Sequence, residues 1–156
     1  KSKDELRRGV LEQMLAHWND ALPRLLVAAT SGEDQFDAIV GELIRFFTGD
    51  RDRARLLVRE VLDRPDEMRA LLQAHVTPWV TIVCDYIRKG QAQGQLFEDA
   101  DPEAYSVQVI NMVIASVATH DCIGALLTDD AGRDTVRRNT GEMLRVARRS
   151  LFKEQG

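Results

Sequence analysis

The chain has 156 residues, 44% of them apolar and 29% charged, with a formal charge of −4, enough to bury a core and ordinary for a globular protein. The negative balance excludes a free-standing nucleic-acid binder, whose phosphate contacts need a basic surface. No apolar run reaches the roughly 18 residues of a membrane span. No signal peptide is expected, since Lys1 leads into a charged helix, and Cys84 and Cys122 are too few for a disulfide framework, so a reducing, cytoplasmic setting is expected.

Helical periodicity runs through the chain. Ser2 and Glu5 have capping-box spacing and open a helix with Leu6, Val10, Met14 and Trp18 on its apolar face. Asp20 and Pro23 read as the start of a short apolar segment, Leu22 to Ala29, stopped at Thr30-Ser31-Gly32. Ser31 with Asp34 is the candidate cap of the next helix, which buries Phe36, Ile39, Val40, Leu43 and Phe47 and breaks at Thr48-Gly49-Asp50. A shorter helix follows with Leu57, Val58, Val61 and Leu62, closed by Asp63-Arg64-Pro65.

Pro65, Asp66 and Glu67 have the chemistry of a first helical turn. From there the pattern predicts a helix to about Lys89, with Met68, Leu72, His75, Trp79, Val83 and Tyr86 on one face and Gly90 and Gly94 as stops. Pro78 inside it predicts a kink near Ala74 to Pro78. Asp101 and Pro102 begin a helix expected to reach Leu127 and to be apolar on nearly every side, with Val107, Val109, Ile110, Met112, Val113, Ile114, Val117 and Ile123. A surface helix of a monomer needs only one apolar stripe, so this one predicts two partners, the second being another copy of the chain. After a loop from Thr128 to Gly132, a last helix from about Asp134 to Phe152 sets Val136, Thr140, Met143, Ala147 and Leu151 opposite Arg137, Arg138, Arg145, Arg148 and Arg149. The arginine face reads as solvated rather than nucleic-acid-binding, given the net charge. The fold class is all-α, an antiparallel bundle of about six helices.

Chemical motifs are sparse. His17, His75 and His120 lack metal-ligand spacing, so no metal and no cofactor are expected. Gly90-Gln91-Ala92-Gln93-Gly94 lacks the Lys and Ser/Thr of a phosphate loop. Pairing Cys84 or Cys122 with His75 or His120 is permitted but nothing singles it out, and a helical enzyme is the weaker reading. The inner faces are more informative. Trp18, Phe36, Phe47, Leu72, Trp79, Val83 and Met112, with His75, Ser116 and His120 as polar exceptions, form either a dry core or an apolar cavity that takes a small apolar or aromatic molecule.

Four local matches give the chain a family resemblance. Lys1-Ser2-Lys3-Asp4-Glu5-Leu6 resembles the end of the DNA-binding motif of TetR-family (tetracycline-repressor-like) transcriptional regulators. Leu56-Leu57-Val58-Arg59-Glu60 to Pro65-Asp66 is similar to that family's sixth helix and its exit. Pro78-Trp79 through Gly90-Gln91-Ala92-Gln93-Gly94-Gln95-Leu96 resembles the long seventh helix, and Asp101-Pro102-Glu103-Ala104 the start of the eighth. The resemblance implies that residues 1–156 form a C-terminal effector-binding and dimerisation domain, not an enzyme, with the helix-turn-helix domain that reads operator DNA lying before them. It implies a homodimer through the last two long helices, whose interface residues would be Val107, Ile110, Ile114, Val117, Val136, Thr140, Met143, Ala147 and Leu151. Lys3 would touch a DNA phosphate. The alternative is a dimerisation module with a filled core and no effector.

Overall fold

A computed structural model describes residues 2–28, 32–128 and 134–153. Among these residues there are eight helices, one 3₁₀ turn and no strand beyond an isolated bridge of Leu96 to Phe152. The all-α expectation holds.

Helix α1, Lys3–Ala28, opens with the expected capping box: Ser2 N donates to Glu5 Oε2 at 2.9 Å and Glu5 N to Ser2 Oγ at 3.2 Å. It runs unbroken through Pro23, which corrects the predicted restart. An interior proline costs roughly 3 kcal/mol, but Trp18, Ala21 and Leu22 are all buried around it, and that packing holds the turn helical. The inward face is Leu11, Met14, Leu15, Trp18 and Leu22, while Leu6 and Val10 are 62% and 49% exposed. Helix α2, Gly32–Thr48, buries Phe36, Val40, Leu43, Ile44 and Phe47; the candidate cap Ser31 lies outside the described residues.

Asp50 accepts from Asp52 N at 3.1 Å and starts α3, Arg51–Asp63. Its buried positions are Ala54, Leu57 and Glu60, whereas Val61 and Leu62, expected inside, are exposed. Glu60 takes the inward position because it is paired: Arg7 Nη1 lies 2.5 Å and Arg64 Nη1 3.7 Å from its Oε2. Arg7 Nη2 also reaches Glu67 at 2.9 Å, so the beginning of α1 is tied to both sides of the next corner.

The stretch from Pro65 is two helices, α4 (Pro65–His75) and α5 (Thr77–Ala92), meeting at Val76. The expected kink is thus a change of helix. Pro78 has no N–H to offer Ala74, and at the second position of α5 it needs none. Helix α5 passes through Gly90, where a Cβ would sit 2.6 Å from Leu96 Cδ1, and the chain turns at Gly94 with φ 73°.

Asp101 caps α6, Pro102–Ala118, its Oδ1 accepting from Glu103 N and Ala104 N, both at 2.9 Å. The single helix expected to reach Leu127 ends here. Thr119 Oγ1 donates to Ala115 O at 2.7 Å, and the chain bends by 67° into α7, His120–Ile123, and the 3₁₀ turn Gly124–Leu126. Asp134 then caps α8, Thr135–Arg149.

Helix α6 is the centre of the bundle, packed against α2, α3, α5 and α8. Val109, Val113 and Val117 are buried there. Most of its apolar circumference is therefore met within the chain, leaving a narrower outward strip of Val107, Gln108, Asn111 and Ala115. No single described helix is long and apolar enough to cross a membrane.

Candidate functional site

Where α2, α5 and α6 converge, their side chains leave a cavity of about 50 Å³. Helix α2 contributes Phe36, Ile39, Val40 and Leu43; α5 contributes Trp79, Val83, Tyr86 and Ile87; α6 contributes Tyr105, Ser106, Val109 and Ile110; Leu151 completes the wall from beyond α8. Among the described residues no charged side chain lines it. The break at Val76 sets Trp79 and Val83 in phase with this space by letting α5 start afresh.

The polar atoms of the lining are nearly all committed. Tyr86 OH donates to Gly32 O, Tyr105 OH to Ala147 O at 2.7 Å, and Ser106 Oγ to Pro102 O at 2.7 Å. Burial pushes the Tyr86 hydroxyl up to about 12 and raises that of Tyr105 as well, so both stay protonated. Trp79 is the exception: it is 8% exposed and its Nε1 is buried with no hydrogen-bond partner. An unmade buried donor costs on the order of 1–3 kcal/mol.

Two contacts connect the cavity to the rest of the bundle. The Trp79 ring lies against Trp18 of α1, centroids 5.8 Å apart. On the other side Arg148 of α8 pairs with Glu33 at 2.7 Å and Asp37 at 2.6 Å on α2, while its guanidinium sits 5.7 Å from the Phe36 ring. Phe36 meets Phe152 edge to face at 5.2 Å. The tail after α8 is held by Phe97 N donating to Leu151 O at 3.0 Å, which fixes Leu151 over the cavity.

Of the residues expected to form one pocket, Phe36, Trp79 and Val83 come together here, with Trp18 directly behind Trp79. Phe47 is buried on the same face but at the far end of α2, against Phe46, and does not line the cavity. Leu72 lines a different, open groove of about 670 Å³ along α4, α5 and α6. His75 is half-buried at the end of α4, and Met112 is half-buried beside the core. Ser116 and His120 line a space of about 10 Å³ near the start of α8, where His120 Nε2 is 3.4 Å from Thr135 Oγ1. The histidines are thus not cavity contacts: the continuous helical wheel used to place His75 fails at Val76, and the bend at Thr119 carries His120 away. Ile39, Val40, Leu43, Tyr86, Ile87, Tyr105, Ser106, Val109, Ile110 and Leu151 are lining residues absent from the expected site. The pairing of apolar faces on α2 and α5 was the available signal for the first five.

The expected interface divides too. Val117, Met143, Ala147 and Leu151 are 4%, 4%, 1% and 1% exposed and belong to the chain's own core, so they offer no surface to a second copy. Val107 is exposed, and Ile110, Ile114, Val136 and Thr140 are half-buried. Lys3 is exposed in the first turn of α1.

A further cleft of about 770 Å³ lies between α1, the end of α2 and α3, floored by Met14, His17 and Phe46 and walled by Arg53, Arg55 and Arg59. His17 stacks on Phe46 at 4.7 Å, and its Nε2 is 3.6 Å from Glu42 Oε1, too far for a hydrogen bond. Among the described residues no group of three or more His, Cys, Asp or Glu is placed to hold a metal ion. Burial raises the Cys84 thiol, making it a poor nucleophile, and no carboxylate among the described residues pairs with His75 or His120.

The described residues form an all-α bundle in which α2, α5 and α6 enclose a small, mainly apolar cavity. The family is specific: residues 56–140 match the model of the tetracyclin repressor-like C-terminal domain. That is more than half of the 156 residues, and the chain belongs to this family. No curated protein and no solved structure matches the chain.

Proposed function

We propose that residues 1–156 form the regulatory domain of a TetR-like transcriptional repressor, and that a small apolar or aromatic effector binds at the α2–α5–α6 cavity. The observation that carries this is the contact of Trp79 in the cavity wall with Trp18 of α1. On this reading α1 leads to a helix-turn-helix segment preceding Lys1, and a homodimer holds two such segments at the spacing of operator half-sites. An effector that moves Trp79 tilts α1 and changes that spacing. It acts only by binding the non-DNA conformation more tightly than the other. The self-complementary patch would centre on Val107, Asn111 and Ala115 of α6, with Ile110 and Ile114 at its margins, and Lys3 would lie nearest the DNA.

A second reading has an observation in its favour. A cavity of about 50 Å³ is far below the roughly 300 Å³ of ordinary ligand sites, as a dimerisation module with a filled core would have. A thermal-shift screen of apolar compounds separates the two. At a concentration of about 100 Kd a hit adds roughly 2.7 kcal/mol, a rise in Tm of several degrees. Val83→Phe, which fills the cavity, abolishes the rise, and His75→Ala, outside the cavity, preserves it. Hits that ignore Val83→Phe, or a screen without hits, leave the filled core as the account.

A further inference from the structure

Facing stripes on two helices build the cleft between α1 and α3. Val10, Met14 and His17 recur at helical spacing on α1, as do Asp52, Arg55, Leu56 and Arg59 on α3. Phe46 lies between them, its ring stacked on His17 at 4.7 Å. The space of about 770 Å³ shares no lining residue with the α2–α5–α6 cavity, and its size is within the roughly 300–1,000 Å³ of small-molecule sites. Met14 is buried, and Phe46 and Leu56 are half-buried, which gives the cleft an apolar floor. The arginines of its rim are unequally engaged. Arg53 donates to Phe46 O at 2.9 Å and lies 3.5 Å from Asp50, while Arg55 is held by Asp52 at 3.2 Å and by Asp121. Arg59 has no such hold. Its guanidinium lies 3.8 Å from Glu60 Oε1, beyond hydrogen-bond reach, and among the described residues it donates no hydrogen bond. Glu60 is already paired with Arg7 and Arg64.

We infer that this cleft is a second ligand site, which takes a small molecule with an apolar body and a carboxylate. The body lies on Met14, Phe46 and Leu56. The carboxylate pairs with Arg59, whose planar fork matches its two oxygens. Asp50 and Asp52 stand at the opposite end of the cleft, Asp52 about 10 Å along the helix from Arg59, so the anionic group belongs at the Arg59 end. Arg59 is largely exposed, and the pair therefore contributes about fivefold in affinity, the worth of about 1 kcal/mol; apolar contact supplies the rest. The assignment does not depend on the effector reading of the α2–α5–α6 cavity.

The test titrates the chain with 2-naphthoate and with its neutral analogue 2-naphthamide, at low ionic strength and neutral pH. The methyl ¹H–¹³C resonances of Met14 and Val83 report the cleft and the α2–α5–α6 cavity separately. Naphthoate is expected to move the Met14 resonance and to bind about fivefold more tightly than the amide. Arg59→Gln, which removes a side chain without a hydrogen bond and so leaves the fold intact, brings the acid to the affinity of the amide. Val83→Phe, in the other cavity, leaves naphthoate binding unchanged. Equal binding of acid and amide, or a preference for the acid that survives Arg59→Gln, overturns the carboxylate assignment. A shift of Val83 in place of Met14, or no binding of either probe, overturns the cleft as a site. A Met14 resonance that moves with protein concentration alone gives the cleft to a second copy of the chain and overturns it too.

Discussion

Phe36→Ala is the perturbation that most directly probes the cavity. Phe36 is 3% exposed, meets Phe152 edge to face at 5.2 Å and lines the space of about 50 Å³. Removing the ring deletes roughly 100 Å³ of side chain. At about 24 cal/mol per Å³ of unrelaxed void this contributes roughly 2.4 kcal/mol, and with the lost transfer energy the total falls at roughly 3–5 kcal/mol. A domain of ordinary stability, about 5–15 kcal/mol, survives that loss. The void grows to about 150 Å³, the size of a dry cavity that accepts benzene. Urea unfolding followed by far-ultraviolet circular dichroism, with and without benzene, reads both effects. Benzene at about ten times its Kd for the variant restores roughly 1.4 kcal/mol to the variant and less to the parent, whose smaller cavity must open to admit it. A loss below about 1 kcal/mol would show that Phe36 is not packed as described. Equal response of variant and parent to benzene would show that the void does not join the cavity.

Three further outcomes are expected. Gly90→Ala destabilises by about 1–2 kcal/mol despite alanine's better helix propensity, because the added Cβ falls 2.6 Å from Leu96 Cδ1; chemical denaturation of Gly90→Ala, Leu96→Ala and the double variant exposes the clash as a non-additive term. Stability falls as pH rises from 10 to 12: the unfolded Tyr86 releases its proton near 10, the folded one near 12, so the folded state holds the extra proton in that window and loses at most roughly 2.7 kcal/mol across it. Tyr86→Phe flattens this slope in unfolding curves taken between pH 9.5 and 12, with Tyr105 supplying what remains. Asp101→Ala, which leaves Glu103 N and Ala104 N without their acceptor, lowers stability by about 1 kcal/mol in thermal unfolding, and Asp101→Asn by much less.

The local chemistry was the legible part. Ser2 with Glu5 and Asp101 cap where their spacing to a following amide demands it. Asp50 and Asp134, legible only as a break and a helix start, cap by the same geometry. Pro78 marks a change of helix because a missing N–H acts wherever it stands. What depends on distant partners was not. Pro23 looks like a stop until the buried Trp18, Ala21 and Leu22 are weighed against it. Glu60 looks like an outward residue, and Val61 an inward one, until Arg7 arrives from 53 positions away to pair the carboxylate. The apolar girth of α6 was legible and its occupants were not. A periodicity records how much surface must be hidden, and α2, α3, α5 and α8 hide most of it without a second copy. The site suffered from two assumptions, that residues 65–89 form a continuous wheel and that the helix from Pro102 runs straight through Thr119. Restarting that wheel at Thr77 keeps Trp79 and Val83 inside, adds Ile87 and drops His75.

On the proposed reading the two tryptophans carry the response, whereas the histidines expected as polar lining residues lie outside the cavity. A histidine contact would make the response depend on hydrogen-bond chemistry at the edge of the bundle. On the proposed reading Trp18 and Trp79, whose rings lie 5.8 Å apart, transmit by steric displacement, since close-packed interiors pass on displacement rather than absorb it. The beginning of α1 is held separately, by Arg7 on Glu60 of α3 and Glu67 of α4. A helix pushed at Trp18 and held at Arg7 pivots; it does not slide. On the proposed reading that pivot turns a shift of a few tenths of an ångström at Trp79 into a larger one beyond Lys3. Weakening the hold, as Glu67→Gln would, leaves effector binding intact and uncouples it from the position of α1. Spin labels at Lys3 of the two copies of a dimer would register that uncoupling as an interlabel distance that no longer responds to effector.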